Sequence, residues 1–433
     1  MNFRKMWRDV VRDWKCFWWV VGLPILIGEM VLGAIIVNYV PYTKIDWDAY
    51  MEEVEGPIER GDFNYSHLRG ETGPLVYPGG FVWIYGILRW IAGGDGSDVR
   101  TAQFVFLGFY VLTSAVILSI YNKIGRGFFP VWVCILLCIS KRMHSLFMLR
   151  MFNDCVAMMF LYFSIMVFTL NNKKIWKWPI GCVYYSLAVS IKMNIFLFAP
   201  ALLILMWIDI GLVGAVACIS LCALIQLVVG APFIFHDIFA YLSGAFRGFG
   251  DLQHKWSVNW KFLPTNVFMD KRFAILLLLL HVTVLILFAN YRWCSEVKGL
   301  SGLRKRLTSQ GRTLKNRVLS SEFIVRTMFE CNFIGVALSR SLHFQFYTWY
   351  WHALPVLLWS ADVLPVWSKL ILLLMFEYAW SYGLDKVEGT STFLSSLVLQ
   401  IAHFTLLLSL WFSKPSRMFL LPDDDERKKK KKR

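Results

Sequence analysis

The sequence predicts an all-α, polytopic membrane protein, on three observations. Of 433 residues, 57% are hydrophobic and only 17% are charged, whereas soluble domains carry about 25% charge. The apolar residues gather in runs near the roughly 20 residues that cross a bilayer. The basic residues, which bring the net charge to +16, sit in short blocks between those runs, as membrane topology requires. This pattern speaks against a disordered chain, a coiled coil, a small disulfide scaffold and a nucleic-acid partner. The nine cysteines are scattered without a C-x-x-C pair and read as small hydrophobes.

Taken in order, residues 1–17 form a basic, cytosolic N-terminus. The apolar stretch after them lacks a small-residue cleavage site and reads as a retained first span. Clear spans are expected near 18–40, 101–121, 130–148, 154–170, 211–231, 273–290 and 392–411. Shorter ones are expected at 178–191, 194–208, 323–339, 349–361 and 366–382, about twelve in all. Residues 41–100 form a large first luminal loop, rich in acids and aromatics. Within it, 79–92 reads as an interfacial helix. A crossing there would invert every later loop and place the lysines of 122–129 and 171–178 in the lumen.

The loop 291–322 is basic and cytosolic, as is the tail 413–433. With this assignment 27 of the 45 Lys and Arg are cytosolic and 16 luminal, the expected bias. Lys430 and Lys431 have the form of a di-lysine endoplasmic-reticulum retrieval signal, a pattern that any polybasic tail meets easily. Asn64-Tyr65-Ser66 is a glycosylation sequon in the first loop, of a kind common by chance.

Five carboxylates fall within ten residues after the first span: Asp46, Asp48, Glu52, Glu53 and Glu55. Most of them fit a solvated amphipathic helix. Asp46, at the end of the span, is placed to be partly desolvated and to serve as a general base. The stretch Gly70 to Gly79, with two prolines, forms a rigid turn suited to a wall under a sugar cavity. Arg150 with Asp154, Lys192 with Asn194, and Arg340 with His343, Gln345 and His352 mark three clusters at span ends. Each group alone fits an interface anchor. Three cation clusters on the luminal side, against the charge bias, fit a phosphate at headgroup level. The phosphate-loop, H-E-x-x-H, G-x-S-x-G and GxGxxG patterns are missing, so any sugar donor is expected to be lipid-borne.

At this point a family resemblance is visible. It is carried by Ile45-Asp46-Trp47, Tyr50 to Gly56, Gly73-Pro74-Leu75-Val76-Tyr77-Pro78, Phe152-Asn153-Asp154, Ile191-Lys192-Met193-Asn194, Val258 to Pro264 and Ser339 to Tyr347. From about residue 40 to 360 the chain resembles the dolichyl-phosphate-mannose-dependent α-1,3-mannosyltransferases of lipid-linked oligosaccharide assembly, in the GT-C superfamily. The resemblance implies a GT-C bundle over 18–412, with interfacial helices in the first luminal loop and a luminal active site in the endoplasmic-reticulum membrane. It implies dolichyl phosphate mannose as donor, the pentamannosyl dolichyl-diphosphate oligosaccharide as acceptor, and inversion at the anomeric carbon. It places the base on Asp46, with Asp48 and Glu71 as second choices. Arg340, Lys192 and Arg150 are expected at the donor phosphate. His343, Asp154, Glu71, Asp48, Tyr77 and Gln345 are expected around the substrates. No cofactor is called for and no metal is demanded, although some relatives use one. A polyprenyl-lipid transporter or scramblase, or a glucosyltransferase with a similar donor, is the alternative.

Overall fold

The computed structural model describes residues 16–125, 128–170, 176–246, 254–308, 318–385 and 389–419. The N-terminal 1–15 and the retrieval-type lysines of the tail lie outside the described residues, as does part of the basic loop.

The described chain is almost wholly helical. Helix α1 (Leu23–Tyr39) ends where Val40 turns extended. Helix α2 (Trp47–Glu55) begins directly after Asp46. Helix α3 (Gly79–Ile91) starts behind an extended Pro78. Helix α4 (Val99–Ile124) is capped by Asp98, whose carboxylate accepts from the Thr101 amide at 3.0 Å, which satisfies one of the amides a helix start leaves unpaired. Helices α5 (Asn153–Phe168), α6 (Lys177–Ile191) and α7 (Ala199–Ala245) follow. Then come α8 (Lys271–Phe288), α9 (Ser321–Ala337), α10 (Val366–Glu377) and α11 (Phe393–Phe412). The single sheet among the described residues is a two-residue hairpin, β1 (Arg69–Gly70) and β2 (Gly73–Pro74).

Five helical stretches among the described residues are long and apolar enough to cross a bilayer, and a sixth is added if the pair Val131–Cys138 and Lys141–Leu149, bent by 53°, counts as one. This is fewer than the apolar runs suggest, for two physical reasons. The expected spans 194–208 and 211–231 fall within one of these stretches, Met193–Ala245, where α7 is broken at Gly211 (φ 76°, ψ 174°) and again at Asp237 (φ −157°, ψ 100°). Helices α5, α6 and α9 have 16, 15 and 17 residues, and their burial is protein burial. Every residue of α9 but the half-buried Glu322 is buried, Arg326 and Glu330 included, so protein encloses this helix on all sides. Helix α3, at 13 residues, is about 20 Å long and too short to span the roughly 30 Å hydrocarbon layer.

The first loop is folded tightly against this bundle. Arg89 on α3 holds Glu59 (2.5 Å) and the carbonyls of Met51 (3.1 Å) and Asp95 (2.9 Å). The Trp47 indole N–H donates to the Gly96 carbonyl at 3.0 Å. At the α3 start, a Cβ on Gly80 would run into the Ser190 side chain and lie 2.9 Å from its carbonyl. Only glycine allows α3 to approach α6 so closely, and this contact brings Tyr77 and Lys192 together.

Candidate functional site

The C-terminal end of α1, the N-terminal end of α5 and the C-terminal end of α6 meet at one end of the bundle. Lys192, the residue after α6, is buried there. Its Nζ donates to Asp154 Oδ2 at 2.6 Å and to Asn153 Oδ1 at 2.8 Å. The ammonium lies 5.3 Å from the Tyr77 ring centre and 5.6 Å from that of Phe346. Asp154 also accepts from the Trp349 indole N–H through Oδ1 at 2.5 Å. An ammonium has three donors, so the two oxygens leave one N–H without an oxygen acceptor.

The turn into α5 is strained. Met151 is a fully buried non-glycine residue at φ 52°. Its carbonyl accepts from the Tyr85 hydroxyl at 2.9 Å. Such backbone persists only where the surroundings impose it, and here it aims Asn153 and Asp154 at Lys192.

Asp46 is half-buried, and Tyr50 donates its hydroxyl to Asp46 Oδ2 at 3.2 Å. Oδ1 therefore stays available to a substrate proton. Burial pushes the Asp46 carboxyl above the usual aspartate range. Lys192 and the Tyr50 hydroxyl pull it back down, and Asp154 adds to the rise. His343 belongs to the same cluster: burial and then Lys192 lower its pKa, with Asp154 opposing, so it stands as a neutral imidazole near neutral pH.

The structure thus brings Asp46, Lys192, Asp154, His343 and Tyr77 together. Asp48 and Glu71 stand on the rim, paired with Lys44 at 2.8 and 3.5 Å. With Asp46 they reinforce the effect of burial in raising the Tyr42 phenol. Arg340 points elsewhere: it donates to the carbonyls of Phe268 and Met269, both at 3.1 Å, and its Nε is buried without a partner. Arg150 donates to Ser145. Gln345 offers its carbonyl to Thr348 at 2.9 Å. Among the described residues no three His, Cys, Asp or Glu side chains group to hold a metal ion.

Two residues escaped the sequence reading. Trp349 holds Asp154 through a contact 195 positions away, and nothing local signals it. Glu53, read with the solvated acids, is 3% exposed. Its spacing of seven from Asp46 is the helical signal that it shares Asp46's face of α2.

Fold and site together define a helical membrane protein in which a carboxylate and a buried lysine converge at one end of the bundle. A family profile described as "ALG3 protein" matches residues 23–383, and the chain belongs to this family. It is similar to the Arabidopsis thaliana Dol-P-Man:Man(5)GlcNAc(2)-PP-Dol alpha-1,3-mannosyltransferase, with 41% identity over 89% of this chain and 86% of the relative. The Homo sapiens protein of the same name is 40% identical over 90% and 86%. A Dictyostelium discoideum protein, named as a probable enzyme of that kind, is 36% identical over 92% of each. No solved structure matches.

Proposed function

We propose that the chain transfers mannose from dolichyl phosphate β-mannose to the pentamannosyl dolichyl-diphosphate oligosaccharide, in α-1,3 linkage and with inversion. The names of its relatives support this over a transporter, scramblase or glucosyltransferase. The observation that carries the mechanism is Asp46 set against the Lys192–Asp154–Asn153 cluster.

The acceptor hydroxyl oxygen attacks the anomeric carbon of the donor mannose. The bond from that carbon to the phosphate oxygen breaks, and both electrons leave with the phosphate. Asp46 Oδ1 takes the hydroxyl proton, and Tyr50 holds Oδ2. The departing dolichyl phosphate gains negative charge, which the remaining Lys192 N–H stabilises. An interaction that strengthens as charge develops lowers the barrier. Neutral His343 donates to or accepts from a sugar hydroxyl. Arg340, held by the Phe268 and Met269 carbonyls, would reach the phosphate only by releasing them.

The site is proposed to face the endoplasmic-reticulum lumen, within a loop over 41–100, in a bundle of about twelve spans with both termini cytosolic. The Lys and Arg bias supports this orientation. Purified enzyme given synthetic lipid-linked mannose and the pentamannosyl acceptor should form one α-1,3-linked product. Asp46→Asn should abolish transfer while donor binding persists; normal turnover by that variant would remove Asp46 as the base.

A further inference from the structure

Two buried polar groups beside this site lack partners. Asn153 is fully buried, and its Oδ1 is fixed by Lys192. An ammonium takes only an acceptor, so the amide cannot be flipped and Nδ2 must point away from the lysine. Nδ2 has no hydrogen-bond partner. Glu53 Oε2, on the Asp46 face of α2, has none either. Burial, then Asp46 and Glu52, push the Glu53 carboxyl well above the usual range. Burial thus favours its neutral form, which can both donate and accept. Buried polar groups are nearly always satisfied, and each exception calls for an explanation.

The positions of these two groups supply one. In the proposed reaction the transferred sugar lies between Asp46, which meets the acceptor oxygen, and Lys192, which meets the phosphate. Asn153 adjoins the lysine side of that space. Glu53 adjoins the Asp46 side and acts electrostatically on Tyr77, whose ring faces Lys192. A hexose hydroxyl donates and accepts at once, and so satisfies an amide N–H or a carboxylic acid equally well.

We propose that Asn153 Nδ2 and the Glu53 carboxyl read ring hydroxyls of the transferred hexose, and so form the sugar-selecting part of the donor site. This rests on the mannosyl-transfer function proposed above. A site built to hydrogen-bond a hydroxyl strongly rejects an analogue that lacks it, because its own buried groups are left unpaired.

The test uses full-length enzyme with polyprenyl phosphate mannose and its singly deoxygenated analogues. With wild type, at least one deoxy donor should lose roughly 10-fold to 100-fold in kcat/KM, the range expected for one buried hydrogen bond. Asn153→Asp keeps the acceptor for Lys192 and removes the N–H donors. It should lose a similar factor with the full donor and discriminate no further against the deoxy donor that Asn153 reads. Glu53→Leu, whose side chain can neither donate nor accept, should remove the preference for a different hydroxyl. Equal use of every deoxy donor by wild type would overturn the inference, whether or not the variants fold. So would deoxy penalties that persist unchanged in both variants. Failure of wild type to transfer mannose at all would overturn the proposed function as well, which separates the two.

Discussion

Replacing Asp154 by Asn leaves Lys192 charged and buried without its directly paired carboxylate. The pair is 2.6 Å long, and its side chains are 0% and 8% exposed. At an effective dielectric constant of about 20, that separation corresponds to about 6 kcal/mol of attraction. The desolvation of both ions offsets most of this, but removing one partner still costs about 3–5 kcal/mol. Lys192→Met should destabilise by a similar amount, because Asp154 then keeps only the Trp349 N–H at 2.5 Å. The double variant removes both charges and should recover to within about 1 kcal/mol of wild type, since apolar replacements of buried pairs are often neutral. The coupling between the two sites is then at least about 5 kcal/mol. At about 2 °C per kcal/mol, each single variant should melt about 6–10 °C below wild type in detergent, and the double variant should regain most of that. The double variant should remain inactive, for want of a cation at the phosphate. A double variant no more stable than the singles would show that the two side chains do not balance each other's charge.

Transfer should also fall on the acid side of its pH profile. Asp46 must be ionised to accept a proton, and its raised pKa moves that limb above the range of an ordinary aspartate. Tyr50→Phe removes the hydroxyl that helps hold the value down and should move the limb to still higher pH; an unmoved or lowered limb would refute the coupling. Gly80→Ala forces a methyl group against Ser190 and should cost about 1–3 kcal/mol by overpacking, read by thermal melting, with transfer impaired because Tyr77 and Lys192 separate. Deleting 430–433 should let a fluorescently tagged enzyme leave the endoplasmic reticulum without changing its specific activity in detergent; unchanged retention would show that the tail is not the address.

The membrane class, the long apolar helices and the candidacy of Asp46, Lys192 and Asp154 were legible in the residue order. Charge next to an apolar run is a local property, and water and lipid sort such runs without tertiary help. Partnership was not legible. Lys192 and Asp154 are 38 positions apart, and they meet only because α5 packs along α6 and Met151 accepts a strained turn. Arg340 carries the same charge as Lys192, yet backbone carbonyls near 268 hold it, because the loop there folds back over its guanidinium. Glu53 looked like one more solvated acid until the rest of the first loop closed on α2. Hydropathy likewise marks α9 as apolar without saying whether lipid or protein surrounds it. Composition along the chain settles which groups avoid water. Only three-dimensional packing settles which of them face one another, because a contact's energy depends on distances and burial that no linear spacing contains.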